Sequence, residues 1–195
     1  MKKILVIIMG TILLVGVTAC GKENTDDNGK GNISTHYFDI FSSNNYHMKA
    51  SVMEGNVERT MEVYVKDEKI STTVTFEGET SRMITLKNRT YFLMDEEKLM
   101  NMAPIVIKEG SGIIDTGNLI EGPSGTERFN NKELTYDEYT ESTGNKIRFF
   151  TENDRLVGIR IVSKESTENI VIEVLDQNVP DSVFKIPTDY ELIDY

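Results

Sequence analysis

The chain has 195 residues, with 32 acidic side chains against 21 basic ones and a net charge of −11 at neutral pH. That balance argues against nucleic acid and against broad docking on anionic lipid headgroups, since both need clustered Lys and Arg. Cys20 is the single cysteine, which excludes an intrachain disulfide.

Met1-Lys2-Lys3 precedes an apolar run from Ile4 to Val17, the layout of a secretory signal. A spanning helix needs about 20 apolar residues, and this run is shorter and ends on small residues, so an uncleaved anchor helix is the lesser reading. Val17-Thr18-Ala19-Cys20-Gly21 resembles the lipobox of bacterial lipoproteins, in which small residues precede an obligatory cysteine. The resemblance implies a diacylglyceryl thioether on Cys20 and removal of residues 1–19 as a lipoprotein signal peptide. Losing Lys2 and Lys3 then takes the net charge from −11 to −13. A second acyl chain matters because one chain anchors only marginally, each buried methylene adding about 0.8 kcal/mol. The expected location is the cell membrane, lipid-anchored and facing outside the cytoplasm. Residues 20–33 form the lipidated end and tether: Gly21 to Asn32 holds three glycines and no large apolar residue, too little to offset the entropy of ordering it.

Residues 34–195 are enough for one domain with a sizeable core. Ser34–Ser42 places Tyr37, Phe38, Ile40 and Phe41 on one helical face after Ser34 or Thr35 as a cap, which predicts a short amphipathic helix. Period-2 alternation then predicts strands over Tyr46–Val52, Val57–Val65, the rows around Ile70–Phe76 and Ile84–Leu86, Tyr91–Met94 and Leu99–Met102. Polar turns such as Glu54-Gly55-Asn56 and Glu77-Gly78-Glu79 separate them, the spacing of an antiparallel meander. Ala103–Gly125 breaks the pattern with seven large aliphatic residues and five glycines, and reads as a long linker. Strands resume at Glu133–Tyr139, Lys146–Thr151, Leu156–Val162 and Ile170–Leu175, giving about ten in all.

Two C-terminal segments carry a further resemblance. Phe149-Phe150-Thr151-Glu152-Asn153-Asp154-Arg155-Leu156-Val157-Gly158-Ile159 reads as a hairpin that turns through polar residues into a "Leu-x-x-Ile" strand. Val179-Pro180-Asp181-Ser182-Val183-Phe184-Lys185-Ile186-Pro187-Thr188-Asp189-Tyr190 follows a "P-x-x-x-F-x-x-P-x-x-Y" closing pattern. Together with the paired strands of Tyr46–Val65, they resemble the LolA/LolB-like superfamily of lipoprotein-sorting and lipid-carrying proteins. The resemblance spans residues 34–195 and implies a mainly β fold: a strongly curved, incompletely closed antiparallel sheet covered by a short helix and a long loop. Its motifs mark packing and turns rather than chemistry, and the chain departs from sorting factors in its scarcity of helix.

Residues suited to catalysis are sparse. His36 and His47 are the only histidines, each read as an exposed side chain, and neither Gly110-Ser111-Gly112 nor Gly122-Pro123-Ser124-Gly125 has the spacing of a nucleophile elbow. No His pair or calcium-loop spacing suggests a metal, and nothing calls for a cofactor. Glu133, Asp137, Glu138 and Glu141 read as a solvated strand face. Met48, Met53, Met61, Met83, Met94, Met100 and Met102 suit an irregular core or, less often, an adaptable apolar ligand site. The function expected is non-enzymatic binding or carriage of a lipid-like or acyl ligand, with Phe38, Phe41, Ile113, Ile114 and Leu119 closing the mouth of the sheet. The alternative is a protein-interaction or envelope-assembly role with a packed, ligand-free sheet and a basic envelope partner on the acidic surface. A hydrolase with dispersed carboxylates ranks third.

Overall fold

Apolar and polar residues alternate along most of the chain, and strands follow. The computed structural model describes residues 35–54, 57–87, 89–104 and 119–193. Cys20, the signal and the tether, with Ile113 and Ile114, lie outside the described residues. Helix α1 spans Thr35–Ser42. The strands are β1 (Asn45–Glu54), β2 (Val57–Lys66), β3 (Lys69–Phe76), β4 (Glu79–Leu86), β5 (Arg89–Met94) and β6 (Leu99–Pro104). After the linker come β7 (Ile120–Phe129), β8 (Lys132–Thr140), β9 (Lys146–Glu152), β10 (Arg155–Val162), β11 (Thr167–Asp176) and the two-residue β12 (Glu191–Leu192).

All twelve belong to one open sheet in the order β12-β6-β5-β4-β3-β2-β1-β11-β10-β9-β8-β7. Two antiparallel meanders, β1–β6 and β7–β11, are joined where β11 returns to pair with β1. As a result β6 and β7, the strands flanking the linker, lie toward opposite edges. The C-terminal β12 adds in parallel outside β6. Tight turns with two successive positive-φ residues close the later hairpins: Asn130 (φ 45) with Asn131 (φ 65), and Asn153 (φ 51) with Asp154 (φ 58). Left-handed backbone of this kind matches the right-handed twist of the strands it joins, and Asn and Asp tolerate it best after Gly.

Twelve strands stand where the sequence suggests about ten, and the linker is shorter than Ala103–Gly125. Its end, from Ile120, is the start of β7. Glycines and Pro123 argue against a strand, but β7 is an edge strand and needs partners on one side alone. The register slips between Glu121 and Ser124, so Pro123 sits in a bulge where no ladder donor is required.

Curvature follows from what α1 touches. An eight-residue helix is about 12 Å long. Yet Phe41 packs on Tyr46 of β1, while Phe38 packs edge-on against Tyr139 of β8 and Phe149 of β9. In a flat sheet β1 and β8, four places apart, would be separated by about 19 Å. The sheet therefore wraps around the helix. Tyr37 adds a hydrogen bond from its hydroxyl to the carbonyl of Asp154 in the β9–β10 turn.

The main core lies on this inner face and contains Phe41, Tyr46, Met48, Val63, Ile147, Phe149, Ile159 and Ile172. A smaller core of Phe129, Leu134 and Phe150 sits on the outer face. There the β7–β8 hairpin runs past the end of β9 and folds over the sheet. Phe129 stacks on Phe150 at 4.5 Å, and its ring fills the space that a side chain at position 158 would need. Gly158 is thus set by close approach. Beyond β11, the tail crosses the outer face: a 3-10 turn at Asp181–Phe184 packs on β3 and β4 and buries Phe184, before β12 docks on β6.

Candidate functional site

Cross-strand register identifies what shares the inner face. One row runs Met48–Val63–Thr72–Met83–Phe92–Asn101 across β1 to β6. The next runs Ala50–Met61–Val74–Ser81, and Met94 pairs with Leu99 beside it. Neither row contains an ionisable side chain. Burial is uneven along them. Met48 and Val63, beneath α1, are 1% and 2% exposed. Thr72, Val74, Met83, Phe92, Met94 and Leu99 are only partly buried. Over β3–β6 the inner face is therefore an apolar trough, lined by methionine, valine, leucine and phenylalanine. Methionine's flexible thioether chain adapts to varied apolar shapes. Such a surface can bind apolar matter. At one end Arg59, next to Phe76 on β3, pairs with Glu168 of β11 at 3.6 Å.

The residues expected at the mouth of the sheet divide as follows. Phe41 is 2% exposed and forms part of the core under α1. Phe38 and Leu119 are partly buried and pack against that same core, so the helix and the end of the linker converge on the inner face. Ile113 and Ile114 lie outside the described residues. Of the methionines, Met48 is core, Met61, Met83, Met94 and Met100 are partly buried, and Met53 and Met102 are exposed. Sequence alone does not single out the trough residues Val74, Phe92 and Leu99. Their signal is the period-2 phase shared with Met48 and Met61, which becomes a site only once register is known.

Beside its smaller core, the outer face is laced with ion pairs. Glu138 corrects the reading of a solvated acidic face, since it is 3% exposed. It accepts hydrogen bonds from Lys146 Nζ and Arg148 Nε, each at 2.7 Å. Burial disfavours its charge, but those two cations outweigh burial and hold the carboxyl below its ordinary range. Arg148 and Arg160 both grip Glu127 of the folded-over hairpin. Arg148 lies over Tyr136, and Arg160 over Phe129 and Phe150.

His47 also differs from the exposed histidine expected, because its side chain is only 14% exposed. The ring stacks on Tyr64 at 4.2 Å, with Nε2 3.0 Å from Glu62 and Nδ1 3.5 Å from Asp176. Burial and Glu62 push the Tyr64 hydroxyl up to about 12. Among the described residues no group of three His, Cys, Asp or Glu could hold a metal ion, and no helix is long and apolar enough to cross a membrane.

No family model matches the sequence, and no curated protein does. Solved structures are similar in fold. An uncharacterized conserved protein from Thermus thermophilus aligns with a TM-score of 0.50 at 10% identity, covering 83% of this chain and 99% of that one. MucB, in the Pseudomonas aeruginosa MucA/MucB complex, aligns with a TM-score of 0.48 at 8% identity, covering 83% of this chain and 64% of that one. The LolA superfamily protein NE2245 from Nitrosomonas europaea gives 0.41 at 9% identity, covering 78% of this chain and 97% of that one. At these identities the likeness is one of fold alone.

Proposed function

We propose that this protein is a membrane-anchored, extracytoplasmic lipoprotein of the LolA/LolB-like kind that binds and carries an acyl or other lipid-like ligand without bond chemistry. The observation that carries this reading is the uneven burial of the inner face among the described residues, complete under α1 at Met48 and Val63 and only partial at Met83, Phe92 and Met94 of β4 and β5. Apolar surface in water is unfavourable by about 25 cal/mol per Å2, so a trough kept partly open is a place for an apolar ligand. Residues 34–195 act as the single binding domain, residues 20–33 as its tether and lipidated Cys20 as its anchor. Ile113 and Ile114, with Leu119, Phe38 and Phe41, form the cover. Two facts support that assignment: the linker joins strands toward opposite edges of the sheet, and its last residue, Leu119, packs on the inner core.

Native mass spectrometry of residues 21–195, with titration by a fluorescent fatty acid, tests the carrier. The expected result is a bound apolar molecule or micromolar probe affinity, and neither appearing would end this reading. Cys20→Ala is expected to move the protein from the membrane fraction to the soluble one; a variant still bound to membrane would remove the lipid anchor from the proposal. A second reading, docking of an envelope protein, is favoured by Ile120, which stands 66% exposed on edge strand β7. A stoichiometric protein partner on domain that holds no apolar ligand would select it.

A further inference from the structure

The trough has a direction along its strands. Rows of paired residues cross the inner face at successive levels, each about 7 Å from the next. At one level Val65, Ile70, Thr85 and Thr90 pair in turn. Val65, Thr85 and Thr90 are buried there, and the two threonine hydroxyls bond each other at 2.9 Å. Three levels away the row is Val52, Arg59, Phe76 and Glu79. Here Val52, Arg59 and Phe76 are only partly buried, and Glu79 is exposed. Between these levels lie the two rows without ionisable side chains. One end of the trough is therefore filled and the other is polar and more exposed.

Arg59 marks the polar end. Among the described residues it is the one basic side chain that strand phase puts on the inner face of β1–β6. Lys49, Lys66, Lys69, Arg82 and Arg89 take the opposite phase. The Arg59 side chain is 34% exposed and meets Glu168 at 3.6 Å. A guanidinium presents five N–H donors in a planar fork that matches a carboxylate or a phosphate, so it can take an anion beside Glu168 or in its place. Glu168 and Glu79 oppose an anion at this level, and attraction rests on Arg59.

An acyl ligand has to leave its head where water or a partner satisfies it, since a polar group among apolar side chains is costly. The threonine row and the Arg59 row are about 20 Å apart along the strands, six residues at about 3.3 Å each. One acyl chain spans about 15 Å, half of a hydrocarbon core about 30 Å thick. A single chain thus fits between the two levels. Resting on the carrier reading above, we infer that Arg59 is the head-group residue of the trough and that the ligand is an acyl chain ending in an anionic oxygen group, a carboxylate or a phosphate monoester. The chain lies over Val74, Met83 and Phe92 with its methyl end toward Thr85 and Thr90.

Fluorescence titration of the full chain with three probes of one chain length tests this: a fluorescent fatty acid, its methyl ester, and the phosphate monoester of the matching alcohol. Wild type is expected to bind the two anionic probes about tenfold more tightly than the ester, as for hydrogen bonds to a charged group. The tighter of the two anions identifies the head as carboxylate or phosphate, and either result supports the assignment. Arg59→Gln should remove the preference while leaving ester affinity unchanged, and Arg59→Lys should keep part of it. Glu168→Gln should bind the anionic probes at least as tightly as wild type. Equal wild-type affinity for acid and ester, or an Arg59→Gln variant that loses the ester as well, would overturn the head-group role and leave the carrier standing. Failure of all three probes to bind wild type would remove the carrier reading and this inference with it.

Discussion

At the scale of single residues, close approach and buried charge set what the outer face tolerates. A Cβ placed on Gly158 would lie 2.2 Å from Phe129 Cε1, inside any allowed contact. Phe129 is itself 2% exposed and stacked on Phe150, so it has nowhere to retreat. Gly158→Ala is therefore expected to cost about 1–3 kcal/mol, the range for overpacking a filled core, measured by urea denaturation. Adding Phe129→Leu should recover part of that loss, since residues in contact do not add independently. The sequence shows a glycine within a strand pattern but not the ring that requires it, because Phe129 lies 29 positions earlier, in a hairpin whose first strand begins in what reads as linker. Glu138 makes a second case. Glu138→Gln removes a charged acceptor from Lys146 and Arg148 and should destabilise by about 1.5–3 kcal/mol at pH 7, as for hydrogen bonds to charged groups. The folded carboxyl is held below its usual 4.5, so its contribution is present above that pH and is lost as pH falls through the lower folded value. The gap between wild type and variant should close correspondingly below about pH 4.5 in acid denaturation. Equal stability of the two at pH 7 would show that the buried pair adds nothing.

Among the elements, those with a strong local signal are legible and those held by distant partners are not. α1 and the strands from β1 to β6 follow their alternation closely, with turns in which Asp67, Glu77, Gly78, Lys87 and Lys98 take positive φ. β7 is hidden because Gly122, Pro123 and Gly125 suit an edge strand only after β8 is in place. The Asn130-Asn131 turn is the local clue to that hairpin. β12 is two residues long and exists through pairing with β6 alone, for which no periodicity can form. The closing pattern around Phe184 suggests a tail lying against the sheet edge. The tail reaches an edge through β12, but Phe184 itself docks earlier, on β3 and β4, where it is 5% exposed with Lys69 Nζ 5.7 Å from its ring. Surface ion pairs such as Lys98–Asp189 add little by comparison. Phe184→Ala is expected to destabilise by about 3–5 kcal/mol, and the denaturation midpoint reads it directly. An unchanged midpoint would mean that the tail contributes no core.

For the whole molecule, the question is which part of a continuous apolar face is structure and which part binds. Sequence periodicity marks all inner-face residues alike, since Met48 and Met83 occupy the same phase of similar strands. The order of strands separates them: β1 lies at the centre under α1, whereas β4 and β5 lie toward the edge that the helix does not reach. Truncation should therefore have opposite consequences in the part of the inner face under the helix and in the part beyond it. Phe41→Ala, on the buried side of α1 against Tyr46, is a core deletion and should lower stability by about 3–5 kcal/mol. Met83→Ser with Phe92→Ser changes a directly paired couple in the partly open trough, where less side-chain burial is at stake in the free protein. That double variant should keep its denaturation midpoint within about 1 kcal/mol of wild type. It should also bind a fluorescent fatty acid at least tenfold more weakly, because each tenfold requires only about 1.4 kcal/mol and two large apolar contacts would be lost to the ligand. If the double variant unfolds as readily as Phe41→Ala while probe affinity per folded molecule is unchanged, the row is core from end to end. The ligand site then lies elsewhere on the molecule.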